Sequence, residues 1–156
     1  MCIRDRADPV QGCRIHALGS MRYVATCSPA FHKRYFAQGV NAQTLAQAPV
    51  LVFNRKDALQ ARFAHKISDP TPWQPPVWWV PSTRAFVQAT LGGLGWTMNP
   101  LPLVQEHLDA GHLVLLRGRA WEDVPLYWQH WRVNSEAMEA LTDSVLSAAR
   151  SLVRRR

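Results

Sequence analysis

The side chains best able to do chemistry in this chain sit at three turns, and each turn limits what that chemistry can be. The first is "LGGLG", Leu91 to Gly95, where Gly92, Gly93 and Gly95 follow a short amphipathic run. A phosphate-binding loop follows a strand and opens a helix, so that its N–H groups meet the helix N-terminus. These glycines instead follow a helical pattern and precede a strand, and they lack the G-x-G-x-x-G and G-K-[ST] patterns. They read as a left-handed helix exit at Gly92 and Gly93 and a tight turn into a strand at Gly95. The second turn is Pro81-Ser82-Thr83, between "VWWV" and a helix predicted over 84–91. It puts two hydroxyls and free backbone N–H groups at a strand C-terminus, where open α/β sheets bind ligands. Helix capping accounts for one of Ser82 and Thr83, and ligand contact is the competing use of the pair. The third is "NRKD", which offers Asn54 and Asp57 to the same sheet edge, with an Asp N-cap as the alternative for Asp57.

Other reactive types carry less. The histidines at 16, 32, 65, 107, 112 and 130 form no H-x-x-x-H and no Cys/His cluster, so no metal ligand set is expected. Cys2, Cys13 and Cys27 cannot all pair and form no C-x-x-C, so they read as reduced thiols. No G-x-S-x-G, catalytic-cysteine context or close carboxylate pair appears. The chain is therefore not expected to be an enzyme, with no catalytic residue and no cofactor assigned. The 7 tryptophans read as core and cleft lining rather than base-stacking platforms.

The elements that position these turns follow from pattern. "YVATC" (23–27) is a buried strand, with Ser-Pro opening the next helix, in which Phe31, Tyr35 and Phe36 share a face. "NAQTLAQA" is a short helix and "VLVF" (50–53) a strand; Asp57 caps a helix through Phe63. "SDPTPWQPP" (68–76) is a loop, and "VWWV" (77–80) a strand. "GWTMN" is a strand, "LVQEHLDAG" a helix stopped by Gly111, "LVLL" a strand and "RGRAWED" a loop. "VPLYWQHW" (124–131) is a longer strand with Leu126, Trp128 and His130 on one face. A final helix from Ser135 carries the stripe Met138, Leu141, Val145, Leu146, Ala149 and Leu152, which needs a partner surface. Strands alternating with helices predict an α/β sheet with crossover connections.

Composition sets the outer bounds. A chain of 156 residues, 47% hydrophobic, is sized for one domain and is not a disordered composition. No apolar run approaches a membrane span and the start has no signal-peptide core, so a cytoplasmic location is expected. The charge of +7 is spread along the chain rather than gathered in one stripe. The closing "RRR" suits a helix C-terminus. No helix-turn-helix, zinc-finger or RNP pattern is present. The opening "MCIRDR" resembles a translated sequencing adapter more than an evolved start.

With this order of elements, the chain resembles the effector-binding half of LysR-type transcriptional regulators, within their ArgP/LysG branch. The match is carried by "LGSMRYVATCSPAF", "KRYFAQGV", "LAQAPVLVFNRKDALQARF", "STRAFVQATLGGLGWTMNPLPLV", "LDAGHLVLL" and "PLYWQHW", in order from Leu18 to Arg150. The resemblance implies a periplasmic-binding-protein-like effector domain with the second α/β subdomain largely complete and the first mostly missing. It divides the chain into a non-native or residual segment over 1–17, a second subdomain over 18–120, and a return strand with C-terminal helix over 121–156. It implies a lysine or arginine effector in a cleft that includes Ser82, Thr83, Asp57 and Asn54, with Asp57 pairing the ligand's cation. The family often carries an acid where Asn54 and Arg84 stand here, so this chain offers less negative charge. Promoter DNA would be bound only through the missing N-terminal domain, by a homo-oligomer without membrane attachment. A two-lobed solute-binding protein of a transport system is the alternative with the same architecture.

Overall fold

The computed structural model of the chain describes residues 1–68, 73–118, 121–133 and 135–153. The elements run β1 (Cys2–Arg4), β2 (Cys13–Cys27), α1 (Pro29–Tyr35), α2 (Ala42–Gln47), β3 (Val50–Val52), α3 (Leu59–Ser68) and β4 (Val77–Trp79). They continue through α4 (Thr83–Leu91), β5 (Thr97–Pro100), α5 (Leu101–Asp109), β6 (Val114–Leu115), β7 (Trp121–Trp131) and α6 (Glu136–Leu152). The chain is mixed α/β and divides into two compact units, Tyr23–Glu122 and Met1–Arg22 with Asp123–Arg156.

In the unit Tyr23–Glu122 the strands order as β4–β3–β5–β2–β6. β3 and β4 are parallel, with Val50 opposite Val77 and Val52 opposite Trp79. Leu51 N–H donates to the Trp96 carbonyl at 3.0 Å and Trp96 N–H to the Pro49 carbonyl at 3.1 Å, which joins β3 to the start of β5. β5 then runs antiparallel to Tyr23–Thr26, and β6 takes the other side of β2 with Thr26 opposite Leu115. Parallel neighbours need a crossover, and α3 and α4 supply the two required here.

Both faces of this sheet are covered. α1, α2 and α3 bring Phe31, Leu45, Phe63 and Ala64 against Ala25, Cys27, Val50, Val52 and Trp96. α4 and α5 bring Val87 and Val104 against Val24 and Leu113. Val24 and Ala25, adjacent in β2, thus serve different cores, as the alternation of strand side chains dictates. Local signals set the helix starts. Ser28 Oγ accepts from Phe31 N–H with Pro29 in the first turn, and Asn41 and Thr44 form a reciprocal capping box.

The glycine turn divides its labour unequally. Gly93 takes the left-handed exit at φ 73°, whereas Gly92 stays right-handed at φ −71° as the α4 C-cap. Gly95 is needed for space, because a Cβ there would lie 2.9 Å from the Pro49 carbonyl oxygen and 3.1 Å from Leu51 Cδ2.

In the other unit β7 lies between β1 and β2, with Ile3 opposite Trp128. The Trp128 indole N–H donates to Thr142 Oγ1 of α6 at 3.2 Å. Gln129 ties down residues 8–10: its Oε1 accepts from Val10 N–H at 3.3 Å and its Nε2 donates to the Asp8 carbonyl at 3.0 Å. Arg22 donates to both Asp123 oxygens, at 2.7 and 2.6 Å, and that bond pushes its pKa up further. The α6 stripe is partly covered: Ala149 is buried, Met138, Val145 and Leu146 are half-buried, and Leu141 is exposed.

Several element boundaries differ from the sequence reading, among them an unexpected β1 at Cys2–Arg4, α1 ending at Tyr35 before Gly39, and α5 starting at Leu101 rather than Leu103. β2 starts at Cys13 rather than Tyr23, β7 starts at Trp121 inside the expected 117–123 loop, and α3 continues five residues past Phe63. The early part of β2 mixes apolar and polar residues, with Cys13, Ile15 and Ala17 alternating with Arg14 and His16 before Gly19 and Ser20 interrupt the pattern, and its extended form is held by pairing with a neighbouring strand. Residues 69–72 of the expected Pro-rich loop, 119–120, and the terminal Arg run lie outside the described residues.

The thiols divide by burial. Cys2 is exposed, whereas Cys13 and Cys27 are buried. Burial pushes the Cys27 thiol from its ordinary value of 9.0 to about 12. The folded state thus holds this proton longer than the unfolded one. Its contribution to stability is complete below the ordinary value and is lost as pH rises from there toward about 12. Cys27→Ala is expected to flatten the loss of stability above pH 9, read from melts across pH. Titration with a chromogenic disulfide is expected to modify Cys2 in the native protein and all three cysteines only after unfolding. Rapid native labelling of Cys27 would contradict the packing.

Candidate ligand-binding site

A pocket of about 380 Å³ opens in the unit Tyr23–Glu122 where β3 and β4 end. Its apolar walls are Tyr23, Phe53, Leu59, Phe86, Met98 and Pro100, and its polar groups come from Asn54, Lys56, Asp57 and Thr83. Each polar group is placed by a local device. The chain leaves β3 through a turn in which Asp57 N–H donates to the Asn54 carbonyl at 3.0 Å. Asn54 Oδ1 accepts from Lys56 N–H at 2.8 Å, which fixes the amide orientation and leaves its NH2 group to donate.

Asp57 is the most constrained of the four. Its Oδ2 accepts from Phe53 N–H at 3.1 Å and from Gln60 Nε2 at 3.1 Å, and its Oδ1 accepts from Leu59 N–H at 3.2 Å. A carboxylate has about four acceptor positions, so one position, on Oδ1, stays open. Gln60 is 1% exposed and also donates to Thr97 Oγ1 at 3.0 Å, while Thr97 donates to the Leu51 carbonyl at 3.0 Å. The carboxylate is thereby wired to the centre of the sheet.

Across the turn before α4, the two hydroxyls part company. Ser82 is the N-cap and accepts from Ala85 N–H at 3.4 Å, whereas Thr83 lines the pocket. Ser82 is not among the pocket walls, and both residues are exposed. Arg84 is exposed and does not line the pocket either. Three of the four residues singled out in the sequence, Asn54, Asp57 and Thr83, therefore meet at one cavity. The sequence reading missed Gln60 and the apolar walls. Phe53, at the end of "VLVF", carried a signal of its own, but Tyr23 and Pro100 meet only through the β2–β5 register.

The cavity thus lies at strand ends, is walled by aromatics, and has an acid on one turn and a helix N-terminus on the next. Such a site on a mixed α/β unit defines a small-molecule-binding domain. The model of the LysR substrate binding domain matches residues 1–150, and the chain belongs to that family. It is 40% identical over 148 residues to the HTH-type transcriptional regulator ArgP of Pseudomonas aeruginosa, covering 95% of this chain and 49% of that protein. The C-terminal domains of a LysR family protein from Agrobacterium tumefaciens superpose with a TM-score of 0.92 at 44% identity, over 99% of this chain and 74% of that one. Full-length LysG from Corynebacterium glutamicum with bound effector Arg superposes with a TM-score of 0.82 at 35% identity, over 97% of this chain and 50% of that one. The chain spans about half the length of the curated relatives it matches. The architecture is accordingly the periplasmic-binding-protein-like fold of LysR effector domains. Among the described residues no helix is long and apolar enough to cross a membrane.

Proposed function

We propose that this chain is the effector-sensing domain of a LysR-type transcriptional regulator and that its pocket binds a basic amino acid, lysine or arginine. The observation that carries this reading is the pairing, on one cavity, of the Asp57 carboxylate with the N-terminal turn of α4 at Thr83. The ligand's side-chain cation meets Asp57, and its α-carboxylate meets the Thr83 hydroxyl and the first free N–H groups of α4. Tyr23, Phe53 and Phe86 hold the methylene stem between them. Asn54 donates from the rim, and Ser82 acts by holding the helix end in place. The relative solved with bound Arg supports the same ligand class. In the cell the regulator is cytoplasmic, acts as a homo-oligomer and reaches promoter DNA through a domain outside these residues.

Calorimetric titration with lysine, arginine, glutamate and norleucine tests the reading. The expected result is saturable binding of lysine or arginine, with glutamate and norleucine much weaker. Equal binding of glutamate, or no binding by folded protein, would overturn it. Thr83→Ala is expected to weaken binding by about tenfold or more, the cost of one hydrogen bond to a charged group at about 1.5–3 kcal/mol. Ser82→Ala is instead expected to lower stability by about 0.5–2 kcal/mol through loss of the cap, read in a thermal melt. The opposite partition would assign the two hydroxyls the other way round.

A further inference from the structure

Outside the pocket, two histidines that are far apart in sequence meet on neighbouring strands. His16 of β2 and His130 of β7 face each other with their Nε2 atoms 3.2 Å apart. Their rings are nearly parallel, at 10° with centroids 5.3 Å apart. His130 Nδ1 lies 2.8 Å from the Trp131 carbonyl oxygen. A carbonyl only accepts, so Nδ1 carries the proton and the His130 Nε2 lone pair is directed at His16. An imidazole whose second nitrogen donates to a backbone carbonyl is the arrangement that orients metal-ligating histidines.

The spacing fits the same chemistry. Two metal–nitrogen bonds of about 2.0–2.1 Å separated by about 90–110° span roughly 2.9–3.4 Å, and the observed 3.2 Å falls inside that range. The χ2 torsion of histidine is broad, so both rings turn off the N···N line to aim their lone pairs at one point when a metal binds. His130 is 5% exposed and His16 is half-buried, so the site is reached from the His16 side. Among the described residues no group of three or more His, Cys, Asp or Glu gathers around one point, so water completes the coordination.

The geometry points to a two-histidine clamp at His16 and His130 for a first-row divalent transition metal, with copper(II) held more tightly than nickel(II) or zinc(II). Imidazole donors favour these ions over magnesium and calcium, and the order among them is the intrinsic one for nitrogen ligands. On binding, the proton on His16 Nε2 moves to its Nδ1. Both Nε2 lone pairs then form bonds to the metal and displace two of its waters, with no change of oxidation state.

The test uses the full chain in a Cys2→Ser background, which removes the exposed thiol as a competing ligand. Copper(II), nickel(II), zinc(II) and magnesium(II) salts are titrated calorimetrically, with electron paramagnetic resonance on the copper sample. The expected result is one site, two equatorial nitrogens in the copper spectrum, and no magnesium response. Loss of an outer partner of a ligating histidine already costs about 10–100-fold, so His16→Gln is expected to weaken binding by at least that. His32→Gln, at a histidine of α1 in the unit Tyr23–Glu122, is expected to change nothing. Should His16→Gln fail to fold, zinc-induced shifts of the His16 and His130 ring resonances in the unsubstituted chain give the same answer. Copper affinity unchanged in His16→Gln, or zinc shifts at other histidines with none at these two, would overturn the assignment.

Discussion

Asp57→Asn is expected to abolish the protein's preference for lysine over norleucine, two ligands that differ at the ε-ammonium. In the pocket proposed above, the open acceptor position on Asp57 Oδ1 receives one N–H from the ligand cation. A charge-assisted hydrogen bond of this kind contributes about 1.5–3 kcal/mol, which corresponds to tenfold or more in affinity. Because Oδ2 is already filled by Phe53 N–H and Gln60 Nε2, a two-pronged guanidinium contact is closed off. Arginine is therefore expected to bind through one edge of its fork, without the usual bidentate advantage over lysine. The substitution has a structural cost as well, since an amide NH2 must face one of the N–H groups that Asp57 now satisfies. Norleucine separates the two effects. If only the turn is disturbed, lysine and norleucine lose affinity together; if the charge is what counts, lysine alone falls to the norleucine level. Parallel losses would remove Asp57 from the proposed contact while leaving the pocket standing.

Gly95→Ala is expected to destabilise the fold strongly, and to act on stability alone. The added Cβ would sit 2.9 Å from the Pro49 carbonyl oxygen, closer than real Cβ contacts occur. That oxygen cannot retreat easily, because it accepts the Trp96 N–H that joins β3 to β5. Leu51, the other near neighbour, is fully buried. Overpacking of this kind costs about 1–3 kcal/mol, and each kcal/mol lowers the melting temperature of a chain this size by about 2–4 °C. Gly93→Ala meets a different penalty, a left-handed backbone at φ 73°, of about 1–2 kcal/mol. Thermal melts with and without saturating ligand read both. The ligand-induced rise in melting temperature is expected to be the same in the variants and the parent. A smaller rise in Gly95→Ala would place that turn in ligand binding.

Much of this molecule was legible in its sequence because the deciding interactions are local. Ser28 before Pro29, Asn41 before Thr44, and Ser82 before α4 each close a hydrogen bond within three residues, so residue type and spacing announce the cap. That the glycine turn ends a helix was visible for the same reason, although the split between right-handed Gly92 and left-handed Gly93 was not. A phosphate loop opens a helix and this turn ends one, an ordering that requires no tertiary knowledge. The strand-to-helix turns likewise marked Asn54, Asp57, Ser82 and Thr83, of which Ser82 does not line the pocket.

Other features depend on register and long-range pairing, which local pattern does not encode. The first half of β2 is extended because its backbone groups find a neighbouring strand; its short alternation over Cys13–Ala17 breaks at Leu18, Gly19 and Ser20 and does not by itself mark so long a strand. Tyr23 reaches the pocket opposite Pro100 only because β2 and β5 pair in one register; a one-residue slip would turn it to the other face. The single open acceptor on Asp57 exists because Gln60, anchored on Thr97 of a different strand, fills one of the others. His16 and His130 show no ligand spacing in the chain, being 114 residues apart, yet the sheet brings their Nε2 atoms to 3.2 Å. Sequence alone determined the caps, the order of elements and the turns that carry polar groups, since those energies lie between near neighbours. Tertiary structure decided which of those groups face one cavity and how many of their hydrogen-bonding positions remain open, because strand pairing and burial assign them.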